Sequence, residues 1–119
     1  MKKEQSLRKS NDFKRLYQEG MKVRLGGFVF YFLKTDNTSH QLGIVASRKT
    51  GCAVARNRFR RRVRCLYALL CEKLQQPHNA IVIATSPSAL ASSFWKIQSF
   101  FLKALEKLAH IENNGRVHA

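Results

Sequence analysis

Apolar residues recur along the chain with two periods. Phe59, Val63, Leu66, Leu70 and Leu74 follow one another at spacings of four, three, four and four, with Tyr67 beside them. At the helical angle per residue they fall in one arc, which predicts a helix from about Val54 to Leu74. Phe13, Leu16 and Tyr17 share a face of a shorter helix, Ser10 to about Glu19. Ser10-Asn11-Asp12 offers its N-cap and Gly20 a left-handed end. The aromatic and β-branched run Phe28–Leu33 reads as a strand, entered through Gly26-Gly27 and closed by the turn-rich Lys34–Ser39. From about Gln41 to Ser47 the pattern alternates. Leu42, Ile44 and Ala46 point one way, and Gly43, Val45 and Ser47 the other. These two strands are expected to pair as an antiparallel hairpin, with Met21–Leu25 as a further short strand. Pro77-His78-Asn79 breaks the chain, His78 reading as a loop residue, before the buried strand Ala80–Ala84. Ser92 or Ser93 can cap a last helix bearing Phe94, Ile97, Phe101, Leu105 and Leu108 on its core face, with Trp95 read as a partly buried indole in preference to a partner surface. The low hydrophobicity from Glu112 onward predicts a frayed end.

The order is α-β-β-β-α-β-α, an α+β two-layer sandwich. No internal repeat or composition break marks a second domain, so residues 1–119 read as one domain with an ordered core of about 7–110.

Charge changes this picture from a fold to a partner. Lys and Arg number 22 against 7 acids, and residues 1–64 carry 17 of the bases. Arg56, Arg58, Arg60, Arg61, Arg62 and Arg64 crowd the polar face of the predicted long helix with no acid among them. Such a helix repels itself unless a polyanion lies opposite, and guanidinium offers phosphate a permanent charge and a planar fork of donors. A hydrophobic fraction of 45% supports a folded globule rather than a basic tail. The pattern points to nucleic acid.

Candidate chemistry is sparse. The aspartates are Asp12 and Asp36, with no second acid spaced to share a metal ion, so a two-metal nuclease site is not expected. His40, His78, His110 and His118 are scattered. Cys52, Cys65 and Cys71 are odd in number and lack C-x-x-C spacing, which favours thiols in a reducing cytoplasm over disulfides or zinc. The Lys2-Lys3-Glu4 start is unlike a signal peptide, and no apolar run approaches the roughly 20 residues of a membrane span.

Four blocks, in order, resemble the bacterial ribonuclease P protein subunit. Asn11-Asp12-Phe13 with Tyr17 and Gly20 is similar to the family's first helix, and Phe28-Val29-Phe30-Tyr31 to its aromatic strand. Leu42-Gly43-Ile44-Val45-Ala46-Ser47-Arg48-Lys49 resembles its next strand and basic loop. Gly51–Arg64 carries its Arg-Asn-Arg signature as Arg56-Asn57-Arg58. Cys52 stands where the family often has Asn, and Ala84-Thr85-Ser86-Pro87 lacks the basic residue common before that Pro.

The resemblance implies a left-handed β-α-β crossover from the Ser47 strand through the arginine helix to the Ile81 strand. It also implies a division of labour. The family's RNA subunit hydrolyses the phosphodiester bond at the 5′ leader of precursor tRNA using Mg²⁺, and the protein alone binds no cofactor. Arg56, Asn57, Arg58, Arg60, Arg61 and Arg64 are implied to contact the catalytic RNA, with Arg62 as a bystander. Phe13, Tyr17 and Tyr31 are implied to line a cleft for the single-stranded leader, with Arg48 and Lys49 nearby. Helix aromatics such as Phe13 and Tyr17 are also ordinary core residues. Neither DNA nor a membrane is an expected partner. A structural RNA-binding protein of the ribosomal type would share the charge and size; a DNA-bending protein would share the arginine helix.

Overall fold

The computed structural model describes residues 5–7, 9–35, 40–74 and 76–117. Asp36 and His118 lie outside them, as does most of the turn expected at Lys34–Ser39. The elements are β1 (Gln5–Ser6), α1 (Ser10–Glu19), β2 (Met21–Leu25), β3 (Phe28–Lys34), β4 (Gln41–Ala46), α2 (Ala53–Leu70), β5 (His78–Ala84), α3 (Pro87–Leu90) and α4 (Phe94–Val117). The strands form one mixed sheet in the order β1-β4-β5-β3-β2.

The expected hairpin between β3 and β4 does not form. β5 lies between them, antiparallel to β3 and parallel to β4. Every residue of β5 except Ile83 is buried, so the central position removes the most apolar surface from water. β3 instead forms a tight hairpin with β2. Gly26 supplies its turn at φ 58°, the positive value that a two-residue loop requires at its first position.

Register sorts side chains into rows. On one face run Leu42–Ala80–Phe32–Met21, Ile44–Val82–Phe30–Val23 and Ala46–Ala84–Phe28–Leu25. α2 and α4 cover this face and complete the main core with Phe59, Val63, Leu66, Tyr67, Ile97 and Phe101. The other face carries Gly43–Ile81–Tyr31–Lys22 and Val45–Ile83–Val29–Arg24. There α1 makes a smaller cluster in which Leu16 packs with Leu7 and Ile81. The result is a sheet-on-helix sandwich with α1 across part of the opposite face.

Local expectations shift in several places. Gly20 is extended, with φ −72° and ψ 156°, rather than left-handed. It is small because a Cβ there would meet the Leu16 carbonyl oxygen at 2.5 Å. α1 is preceded by Lys9 without a side-chain cap. The long helix ends at Leu70, and Cys71–Lys73 tighten into a 3₁₀ turn. The short α3 adds an element, capped by Ser86 Oγ accepting from the Ala89 amide with Pro87 in the first turn.

His78 is not a loop residue. It opens β5, is 1% exposed, and has Nδ1 at 2.7 Å from the Gln76 carbonyl and Nε2 at 3.0 Å from Glu112 Oε2. That contact ties α4 to the sheet close to the point where fraying is expected, and the α4 helix continues to Val117. Of the two candidate caps for α4, Ser93 serves: its Oγ accepts from the Lys96 amide at 3.1 Å.

Candidate nucleic-acid interface

α2 is a basic helix held down by its apolar stripe. Phe59, Val63, Leu66 and Tyr67 have no measurable exposure, and Phe59 stacks on Phe28 with ring centroids 6.1 Å apart. The Tyr67 hydroxyl donates to the His78 carbonyl at 3.0 Å. This anchoring fixes which way the arginines point. No acid lies in the first turn of α2, so positive side chains sit at the positive end of the helix dipole, an arrangement that an anion would relieve.

The arginines divide by their bonds. Arg56 Nε donates to the Gly51 carbonyl at 3.2 Å, and Arg60 Nη1 donates to Asn57 Oδ1 at 3.3 Å. Arg62 Nη1 donates to the Ser92 carbonyl at 2.6 Å. Arg58, Arg61 and Arg64 are exposed and make no side-chain hydrogen bond or ion pair among the described residues. Val54, Asn57, Arg60, Arg61 and Arg64 line an open concavity of about 520 Å³. Asn57 and five guanidinium groups are thus carried by one rigid helix, while Arg62 turns aside to the α3–α4 turn.

The aromatic residues lie on the other side of the sheet. Phe13 is partly buried and packs with Leu7, Leu16 and Ile81. A Cβ on Gly43 would meet its Cε1 and Cζ atoms at 2.7 Å. Tyr17 is 43% exposed and meets Tyr31 edge-to-face, with centroids 5.0 Å apart. Lys22 Nζ lies 5.9 Å from the centroid of the Tyr31 ring. Burial, with Tyr31 adding to it, raises the Tyr17 phenol above its ordinary value. Arg48 and Lys49 are exposed in a 3₁₀ turn just past β4. They follow the strand that places Gly43 and Val45 on this face. The arginines are thus carried together on α2, and the three aromatic rings lie together across the sheet, while Arg48 and Lys49 stand apart in the turn past β4.

Sequence reasoning missed Lys22 and Arg24. Their signal was alternation in Met21–Leu25, which sends Met21, Val23 and Leu25 to the core face and the two bases to the aromatic face. It also missed the exposure of Trp95, 72% accessible rather than partly buried, because Trp95 falls outside the apolar arc of α4.

Among the described residues no group of three or more His, Cys, Asp or Glu side chains could hold a metal ion. No helix there is long and apolar enough to cross a membrane. Cys52 and Cys65 are exposed, and Cys71 is buried. The backbone amide of Ala55 lowers the Cys52 thiol below its ordinary value, with the Val54 amide and Arg56 adding to the effect.

Comparison with known proteins places this geometry in a family. The family model described as Ribonuclease P matches residues 1–109. A ribonuclease P protein component from Exiguobacterium is 36% identical over 98% of this chain and 95% of its own length. One from Listeria innocua is 31% identical over 98% and 92%. The solved RNase P protein of Staphylococcus aureus superposes with a TM-score of 0.70 at 32% identity, covering 87% of this chain and 94% of that one. The Thermotoga maritima protein gives 0.74 at 27% identity, over 87% and 96%. An arginine helix, a mixed sheet with an aromatic face and full-length similarity agree: the chain belongs to the ribonuclease P protein family.

Proposed function

We propose that the chain is the protein subunit of a ribonuclease P holoenzyme, acting in tRNA 5′ maturation in the cytoplasm. Its α2 surface binds the catalytic RNA. Its aromatic sheet face receives the single-stranded leader of precursor tRNA. The RNA subunit, with Mg²⁺, hydrolyses the phosphodiester bond, and the protein supplies affinity and placement. The observation that carries this reading is the set of exposed guanidinium groups on a helix whose opposite face is locked in the core. The helix that carries those charges is fixed before binding, which reduces the ordering cost of meeting phosphate.

The leader role rests on Phe13, Tyr17 and Tyr31, with Lys22 and Arg24 on the same sheet face and Arg48 and Lys49 in the turn past β4. Aromatic faces accept any base, as a cleft serving many leaders requires, and the basic side chains track the backbone. Arg56 and Arg60 already bond within the protein and share their remaining donors with RNA. Arg58, Arg61 and Arg64 have all of theirs to offer.

The test is cleavage of precursor tRNA by ribonuclease P RNA at low Mg²⁺, with and without the protein. Accelerated leader removal is expected, together with no cleavage by protein alone. An absence of acceleration, with RNA binding retained, would favour a structural RNA-binding role.

A further inference from the structure

Trp95 is the sole tryptophan of the chain and the most exposed of its large hydrophobic side chains among the described residues. It projects from the first turn of α4, on the helix side of the sheet, away from Tyr17 and Tyr31. An indole left in water forgoes a large burial gain.

The turn that carries the indole is nevertheless held firmly. The Ser93 hydroxyl caps α4, and the Ser93 carbonyl accepts from the Ile97 amide at 3.0 Å. Half-buried Phe94 meets the indole at 86°, with centroids 5.3 Å apart. The Arg62 bond to the Ser92 carbonyl ties the turn just before Trp95 to the middle of α2. Arg62 and Arg58, one helical turn apart, share a side of α2, so the tie draws the start of α4 toward the arginine surface.

Charge selects the occupant. Neither Gly51–Cys71 nor Ala84–Leu105 contains an Asp or Glu, and Lys96 follows the indole directly. A second copy, itself at +15, would meet repulsion on this face. A polyanion with flat apolar groups would not, and unpaired nucleobases stack on such rings.

We propose that Trp95 is a stacking site for an unpaired nucleotide of the RNA bound along α2, with Arg62 as its positioning residue. The inference rests on the proposed binding of catalytic RNA by α2, and extends that contact from one helix to two.

Because no other tryptophan is present, intrinsic fluorescence reports on this ring alone. Ribonuclease P RNA labelled for anisotropy is titrated with the protein while Trp95 emission and its quenching by acrylamide are recorded. Emission should change in step with anisotropy, and bound RNA should shield the indole from acrylamide. Trp95→Ala should weaken binding about ten-fold, within the range known for loss of one base stack. Trp95→Phe should keep most of the affinity. Arg62→Met should reduce the shielding while the thermal unfolding curve shows the domain still folded.

RNA binding that leaves emission and acrylamide access unchanged overturns the stacking site and leaves the α2 reading intact. No RNA binding by anisotropy overturns both. An RNA-free dimer in sedimentation that Trp95→Ala abolishes would assign the ring to self-association instead.

Discussion

The ring of Phe13 occupies the space above Gly43 that a side chain there would fill: a Cβ would lie 2.7 Å from its Cε1 and Cζ atoms. The first helix is thus seated directly on β4. Phe13 has a packing role alongside any contact with RNA. Gly43→Ala is predicted to lower stability by about 1–3 kcal/mol, the usual cost of forcing a methyl into a filled space. Denaturant midpoints check this. An unchanged midpoint would mean that the ring swings aside freely, leaving Phe13 available as a mobile cleft residue.

Element positions were largely legible because they follow from local periodicity. Met21–Leu25, Gln41–Ala46 and the start of the last helix fall where alternation and capping put them. Strand neighbours were not legible. The alternation of β3 is equally compatible with β4 or β5 along its edge, and only the whole sheet decides that β5 is central. The α3 turn had an available signal in Ser86-Pro87. β1, two residues long and without an apolar pattern of its own, had none. At the candidate interface, charge and aromatic content could be read, but bonding could not. Nothing local distinguishes Arg62, whose partner Ser92 is 30 residues away, from Arg61, which makes no such bond among the described residues.

That difference between neighbours is testable. Replacing Arg58, Arg61 and Arg64 together with Ala should weaken RNA binding while leaving the domain folded. It should reduce the magnitude of the log K against log salt slope by about 0.7–0.9 for each phosphate that is no longer neutralised. Arg62→Met should instead lower stability by about 1 kcal/mol through loss of its bond to the Ser92 carbonyl, with the salt slope unchanged. Equal slopes for wild type and the triple variant would remove these arginines from the interface. Phe59→Ala is the packing control, expected to cost about 3–5 kcal/mol as a fully buried aromatic.

Cys52 gives a chemical handle at the amino end of α2. Backbone amides, Ala55 first, and Arg56 favour its thiolate. The pH–rate profile for its alkylation is predicted to have a midpoint below that of N-acetylcysteine. The sign follows from stabilising the charged form, so the thiolate persists to lower pH than in the free thiol. Bound catalytic RNA should slow the labelling, since the site adjoins the arginine surface. A midpoint at or above that of the reference thiol would contradict the assignment of cause.

The aromatic face separates a ribonuclease P subunit from a general RNA binder. Tyr17 and Tyr31 meet edge-to-face, Tyr17 is the more open ring, and Lys22 flanks Tyr31. If this face receives the leader, Tyr17→Ala and Tyr31→Ala should each weaken holoenzyme binding of precursor tRNA by about 1–3 kcal/mol, the loss of a base stack. Mature tRNA has no leader, and its affinity should scarcely change. Affinity for the catalytic RNA should also hold, because α2 lies across the sheet. Lys22→Ala should reduce precursor binding less at high salt than at low salt, as expected for an exposed charge. Phe13→Ala needs its unfolding curve beside its binding curve, since Phe13 also seats α1 on Gly43. The measured quantity is the ratio of precursor to mature tRNA affinity at fixed salt and Mg²⁺. A folded Tyr17 or Tyr31 variant that keeps the wild-type ratio would take that ring out of the leader path, while the α2 interface would stand on its own measurements.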